Sequence, residues 1–372
     1  MITILYITST LKRTGPTNVL LNLLLKLNKN NFKPIILTLS NEDSNYPSLY
    51  STFEKIGVKI IPLSLNRING FLFGTGRIKR VLQKNSINII HIFGFRGDLL
   101  INKTNFPGIK VISTINSNIY EDYTMLYGRI KGSVMAKFHM NSLKGKIAIG
   151  CSNFVTTQLN NKYNSELETI YNGIPKESYI PPNSQEKIEL RDGLLLDVSA
   201  KIFIFVGYLI YRKDPLTTIQ GFLSAESADE LILLMIGDGP LMEECKALAN
   251  QFPNRKIFFL GNQPETLKYL KCADYYIASS YSEGLPTSVM EAMSCGLPVI
   301  LSNIQPHIEL VDKIKDWKYL FGTNDSQMLA ANITSILKES HDKLSLKCRS
   351  VIEDKINSEI MANKYETLYL KN

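Results

Sequence analysis

Short runs of consecutive apolar residues alternate along most of this chain with longer stretches in which apolar residues recur at helical spacing. In the first half the runs are Ile2–Ile7, Pro34–Leu39, Val58–Pro62, Ile87–Ile92, Lys110–Thr114, Ala148–Cys151 and Glu168–Tyr171. Between them lie segments such as Asn18–Leu27 and Gly76–Lys84, which predict helices. In the second half the runs are Lys201–Gly207, Leu231–Gly237, Lys256–Gly261, Tyr275–Ser279 and Pro298–Ser302. A strand that is apolar at nearly every position is covered on both faces, as in a parallel sheet held between layers of helices. Two such series predict two doubly wound α/β domains. They are separated by Asn172-Gly173-Ile174-Pro175 through Pro181-Pro182-Asn183-Ser184, a stretch rich in turn-forming and polar residues. The expected division is therefore 1–178 for the first domain, 179–352 for the second, and 353–372 for a terminal helix. That helix belongs to a segment without strand signals, from about Lys343 to Leu370.

Composition narrows the class. A chain of 372 residues, 44% hydrophobic and 20% charged, is long enough for two cores and unlike disordered, collagenous or disulfide-scaffold sequences. The five cysteines (Cys151, Cys245, Cys272, Cys295, Cys348) show no C-x-x-C spacing, and the four histidines are not paired at ligand spacing. Buried thiols in a reducing compartment are expected, with no metal site. The opening MITILYITST lacks a basic leading segment and reads as a buried strand instead of a signal peptide. No stretch approaches the roughly 18 apolar residues of a membrane span, so a cytoplasmic protein is expected.

Charge is uneven. The whole chain carries +8, but residues 1–180 carry +13 and the remainder −5. A basic half suggests an anionic partner such as phospholipid headgroups, a phosphorylated lipid or nucleic acid. Within it, residues 120–146 interleave Tyr123, Met125, Leu126, Tyr127, Val134, Met135, Phe138, Met140 and Leu143 with Arg129, Lys131, Lys137, Lys144 and Lys146. That pattern suits a helix lying on an anionic bilayer. Periodicity predicts equally well a helix with its apolar residues in the core and a solvated basic face.

The most specific signal is Glu283-Gly284-Leu285-Pro286-Thr287-Ser288-Val289-Met290-Glu291, followed by Ala292-Met293-Ser294-Cys295-Gly296-Leu297-Pro298-Val299. It falls between two predicted strands. Pro286 suits the approach to a helix, Gly296 its end, and Pro298 forbids continuation. Glu283 is thereby placed at the carboxyl end of a strand, where open parallel sheets bind ligands. The helix beginning near Thr287 offers N–H groups to an anion, and Glu291, one turn in, can accept from vicinal hydroxyls. Taken singly, Glu283 is also an ordinary loop charge and Glu291 an ordinary helix-N-terminal charge.

This Glu-x7-Glu and Ala-Met-x-x-Gly-x-Pro-Val pattern resembles the hallmark of the retaining GT-B nucleotide-sugar glycosyltransferases of family 4 (group 1). The resemblance covers most of the chain. Gly207-Tyr208-Leu209-Ile210-Tyr211-Arg212-Lys213-Asp214-Pro215 is similar to the family's Gly-Arg-Leu…Lys-Gly segment, and Gly237-Asp238-Gly239-Pro240-Leu241 to its Gly-x-Gly-Pro turn. Phe259-Leu260-Gly261-Asn262 resembles the run beside the nucleobase. Tyr171-Asn172-Gly173-Ile174 resembles the signature closing the first domain, and Thr14-Gly15-Pro16-Thr17 the glycine-bearing loop after the first strand.

The resemblance implies a GT-B fold: two Rossmann-like domains facing each other across a cleft, with the C-terminal helix packing back toward the first. It implies that Arg212 and Lys213 neutralise the donor diphosphate, that Glu283 binds donor-sugar hydroxyls, and that Glu291 binds the ribose. Gly15, Gly284, Leu285, Pro286, Thr287, Gly261 and Asn262 would contact the rest of the donor. Two positions depart from the pattern. Tyr208 replaces the family's arginine, leaving Arg212 for the phosphate, and Asn116 stands where many members carry a histidine near the transferred sugar. An amide binds a hydroxyl but takes no proton. His91, ending another strand, is either a cleft residue or a satisfied structural one.

The expected activity is transfer of a hexosyl unit, with retention and without metal or other cofactor, from a nucleoside-diphosphate sugar, a UDP-sugar above all. The acceptor would be a saccharide or polyprenyl- or lipid-linked saccharide, in synthesis of a bacterial surface polysaccharide such as capsule or lipopolysaccharide. A peripheral contact with the inner face of the cytoplasmic membrane through residues 120–146 is expected, and no nucleic acid. Alternatives are a catalytically weak homologue that binds a nucleotide sugar or a partner enzyme and, with no supporting signature, a nucleic-acid-binding protein.

Overall fold

The computed structural model describes all residues except Tyr46, Lys103–Asn105 and Asn372, and the backbone alone of residues 67–72. Two compact units divide the chain. Unit 1 comprises Met1–Gly173 with Ser358–Asn372, and unit 2 comprises Ile174–Asn357.

In unit 1 the strands β1 (Ile2–Thr8), β2 (Phe32–Thr38), β3 (Lys59–Pro62), β4 (Ile89–Phe93), β5 (Lys110–Ile115), β6 (Ile147–Gly150) and β7 (Glu168–Thr169) form one parallel sheet in the order β3-β2-β1-β4-β5-β6-β7. Alternation of side chains along β1 explains why it is apolar throughout. Ile4 and Tyr6 enter the core on one face, with Val19, Leu20 and Leu23 of the helix Gly15–Lys26. Leu5 and Ile7 enter the core on the other, with Ile78, Leu82 and Leu100. The chain reverses its direction of winding between β1 and β4, so the carboxyl ends of those strands mark the ligand-prone edge of this sheet.

Unit 2 repeats the plan with β8 (Lys201–Val206), β9 (Leu231–Ile236), β10 (Lys256–Phe259), β11 (Tyr275–Ala278), β12 (Val299–Ser302) and β13 (Leu320–Phe321), ordered β10-β9-β8-β11-β12-β13. All its pairings are parallel. Its switch point lies between β8 and β11. Phe203, Phe205, Leu233, Met235 and Tyr275 pack there against Ile219 and Phe222 of the helix Pro215–Ser224.

The segment expected as one helix from Lys343 to Leu370 is two: His341–Asp354 and Ser358–Leu370. The break is fixed by buried Asn357, whose amide donates to the carbonyls of Ile352 (3.2 Å) and Glu353 (2.8 Å) and so ends the first helix. The second helix completes unit 1, contributing Met361, Ala362, Tyr365, Leu368 and Tyr369 to its core. There His91 is a structural residue. It is fully buried, with Nδ1 2.7 Å from Tyr369 Oη and Nε2 2.7 Å from Thr114 Oγ1, which also meets Tyr365 Oη at 2.7 Å. Burial lowers its pKa to about 3. All five cysteines are buried free thiols. No helix among the described residues is long and apolar enough to cross a membrane.

Candidate active site

The loops after β8 and β11 meet at the switch point of unit 2. After β8 the chain makes a single turn of 3-10 helix, Tyr211–Lys213, and then enters the helix Pro215–Ser224 through Asp214. Asp214 adopts a left-handed conformation (φ 47°) and caps that helix by accepting from the Thr217 N–H (3.3 Å). Ser279, just past β11, donates to the Asp214 carbonyl (2.6 Å) and pairs with Thr218 Oγ1 (2.7 Å). The Tyr281 N–H donates to the Arg212 carbonyl (2.8 Å). These bonds fasten one loop to the other and bring three charges together.

Glu283 is the centre of that group. Its Oε1 accepts from Lys213 Nζ and from Ser280 Oγ (2.8 Å), and its Oε2 accepts from Arg212 Nη1 (3.1 Å). Arg212 Nη1 also donates to the Ser282 carbonyl (2.8 Å). Burial alone would raise the Glu283 pKa, but the Lys213 and Arg212 charges outweigh it and hold the carboxyl at about 2. The Glu283 side chain is 8% exposed, whereas Arg212 and Lys213 keep 29% and 16% of theirs open. The result is a net positive group with a buried anionic anchor and reachable cations. Beside it Tyr211 and Tyr281 stack at 4.9 Å, and Tyr211 is 70% exposed.

Gly284, Leu285 and Pro286 are buried and lead into the helix Thr287–Ser294, which carries half-buried Glu291 in its second turn. At its far end Gly296 (φ 77°) donates to the Met293 carbonyl and Leu297 to that of Ala292, the glycine C-cap expected from the sequence. Gly261 follows β10 and accepts from the Gly237 N–H (2.8 Å), with Asn262 exposed next to it. Gly237 answers a packing demand: a Cβ there would lie 1.9 Å from the Gly207 carbonyl oxygen. The Gly-Asp-Gly-Pro turn is thus structurally required, whatever else it touches.

Asn116 and Gly15 belong to unit 1. Asn116 follows β5 and is half-buried, and its Oδ1 accepts from Asn172 Nδ2 (3.1 Å). Gly15 opens the helix Gly15–Lys26, after Thr14, whose N–H donates to Thr17 Oγ1 (2.9 Å). A Cβ on Gly15 would meet nothing within 4 Å, so packing within the chain does not demand glycine there.

Residues 120–146 fold as two helices, Ile119–Tyr127 and Arg129–Ser142. Their apolar residues divide. Ala136, Met140 and Leu143 are buried, but Met125, Leu126, Tyr127, Ile130 (82%), Val134 (66%) and Phe138 (58%) are exposed, among the equally exposed Arg129, Lys131 and Lys137. A wholly core-facing helix is therefore ruled out. The pair is anchored from beneath by fully buried Asp98, which takes Lys146 Nζ (3.0 Å), His139 Nε2 (3.2 Å) and Ser113 Oγ (3.0 Å).

Sequence reasoning missed Asp214, Ser279, Ser280 and the Asn172 contact to Asn116. The Asp-Pro dipeptide at 214–215 was a legible cap signal; the serines carry none, because their partners are remote in sequence.

The family model for glycosyl transferases group 1 matches residues 186–353, and that for glycosyltransferase family 4 matches residues 13–178. The Escherichia coli O-antigen biosynthesis glycosyltransferase WclY is 26% identical over 98% of this chain and 97% of its own. The Bacillus anthracis N-acetyl-alpha-D-glucosaminyl L-malate synthase is 24% identical over 79% of this chain and 77% of its own. Among solved structures, the Anabaena HepE protein in complex with UDP-glucose superposes with a TM-score of 0.83 at 14% identity, covering 99% of both chains. The two units have the fold of GT-B glycosyltransferases.

Proposed function

The chain belongs to the group 1, family 4 glycosyltransferases, and we propose that it moves a hexosyl unit from a UDP-sugar to a saccharide or lipid-linked saccharide acceptor with retention of anomeric configuration. The observation that carries this reading is the Arg212–Lys213–Glu283 group at the switch point of unit 2. A diphosphate leaving group gains negative charge as the glycosidic C–O bond breaks, and two fixed, partly exposed cations stabilise that charge without a metal ion. Glu283 already spends both oxygens on those cations. It therefore sets their positions, and its remaining lone pairs are assigned to donor hydroxyls.

In the retaining reaction the bond from the anomeric carbon to the phosphate oxygen breaks. The acceptor oxygen bonds to the same face, and its proton passes to the departing phosphate. No protein base is needed for this route, which is compatible with Asn116. The reading assigns Asn116 to a sugar hydroxyl, Glu291 to the ribose, and Gly15 with the Gly284–Thr287 segment, Gly261 and Asn262 to the rest of the donor. The exposed apolar and basic ridge of residues 120–146 suits an anionic bilayer surface, where a lipid-linked acceptor would reside. The O-antigen role in the name of the E. coli relative supports a surface-polysaccharide acceptor.

The deciding experiment is calorimetric titration with UDP, GDP and ADP, followed by turnover of the corresponding sugar nucleotides. Micromolar binding of UDP, weakened at least about tenfold in Glu291→Ala, is expected. Binding of no nucleoside diphosphate, or affinity unchanged in that variant, overturns the assignment.

A further inference from the structure

The hydrogen bonds that hold the Glu283 loop continue beyond Ser280. The Ser280 carbonyl accepts from Ser302 Oγ (2.7 Å) at the end of β12. Ser302 in turn meets His307, on the short helix Gln305–Val311, whose Nδ1 lies 3.0 Å from both the Ser302 carbonyl oxygen and Ser302 Oγ. A carbonyl oxygen only accepts, and Ser302 Oγ has given its proton to Ser280, so Nδ1 carries the proton of the ring. Nε2 is then a bare lone pair. It is buried, and no hydrogen-bond partner faces it among the described residues. An apolar side chain at this position would leave the buried Ser302 carbonyl and hydroxyl without that donor, so what the histidine supplies is the Nδ1–H. Burial keeps the ring neutral, with its pKa lowered to about 4, against the pull of the Glu283 carboxylate and with the Lys213 charge acting in the same direction as burial.

We propose that His307 is a positioning residue of the candidate active site: through Ser302 and Ser280, its Nδ1–H sets where the Glu283 carboxylate stands, and with it Arg212 and Lys213. The carboxyl ends of β8, β11 and β12 are thereby joined by one line of contacts, Lys213–Glu283–Ser280–Ser302–His307. The inference rests on the donor reading for its ligand, and its test separates the two.

UDP, GDP and ADP are titrated into the wild-type chain, and the one that binds becomes the probe. His307→Leu is expected to weaken its binding by at least about tenfold, while His307→Asn, whose amide nitrogen replaces Nδ1, stays within about threefold of wild type. His307→Gln, whose nitrogen falls at Nε2, should behave as His307→Leu. In a Glu283→Gln background, His307→Leu should cost nothing further, because the two act on one path. Equal losses in the Asn and Leu variants, or full additivity with Glu283→Gln, would overturn the inference and leave the donor reading intact. If the wild type binds none of the three nucleotides, the donor reading falls and nitrogen NMR of the imidazoles decides the geometry. A neutral, Nδ1-protonated His307 at pH 7 supports the inference; an Nε2-protonated or charged ring ends it.

Discussion

Glu283 is a buried carboxylate whose stability depends on two neighbours, and the three residues respond differently to removal. Lys213→Met leaves the carboxylate buried with half its compensation, a change that costs about 3–5 kcal/mol where such pairs are broken from one side. Glu283→Gln leaves two cations that still reach water, so denaturant unfolding should show the smaller loss. Acid offers a second test. The Glu283 pKa stands at about 2 in the folded chain against an ordinary value of 4.5. Its contribution is complete above pH 4.5 and disappears as pH falls toward 2, amounting to about 3 kcal/mol. Wild type should lose that much more stability than Glu283→Gln over this range; parallel pH profiles for the two would contradict the pairing.

Two elements have properties that their sequences alone leave open. The helix Ser358–Leu370 inserts four large buried side chains, Met361, Tyr365, Leu368 and Tyr369, into the core of unit 1 beside the small Ala362. At about 1.5–3 kcal/mol for each large side chain buried, their sum rivals the entire margin of about 5–15 kcal/mol that keeps a domain folded. A chain ending at Asn357 should therefore lose unit 1, with circular dichroism reporting the loss of its helices. The same helix makes unit 1 acid-sensitive. His91 must take up a proton on unfolding below its ordinary pKa of 6.5, so stability declines from pH 6.5 down to about 3. The helix Arg129–Ser142 differs in that its ridge of Ile130, Val134 and Phe138 faces outward. Replacing all three with serine should abolish co-sedimentation with vesicles containing anionic lipid while leaving unchanged the nucleoside-diphosphate affinity proposed for unit 2. Retained sedimentation would remove the ridge from the membrane reading.

At the scale of the whole molecule, each unit repeats one topology around a central strand, β1 in the first and β8 in the second. Each therefore gathers its conspicuous residues at the same kind of edge. Glu283 and Lys213 are 70 residues apart, yet they meet because β8 and β11 are sheet neighbours. The charge asymmetry follows the same division, with the basic excess over residues 1–180 falling largely in unit 1. Vesicle binding should accordingly weaken steeply with added salt, while the short-range pairing around Glu283 should not.

The parallel strands were legible from the sequence because a strand buried on both faces needs apolar residues in succession, and Ile2–Ile7 and Leu231–Ile236 are such runs at strand length, repeated between helical segments. The loop from Glu283 to Thr287 and the stop at Gly296 were legible for a similar reason: the backbone there tolerates few residues. Two-residue β13 was not, since Leu320-Phe321 is too short to carry a period. The break at Asn357 also escaped notice, because its carbonyl partners lie within a helix that the local pattern continues. Only tertiary structure showed that Glu283 holds both cations, that His91 faces Tyr369 and Thr114, and that Ile130 and Phe138 face outward. Periodicity records which residues share a face, and local constraint records where the backbone must turn. Which charge meets which, and which face meets water, is decided by sheet order and by contacts between residues far apart in the chain.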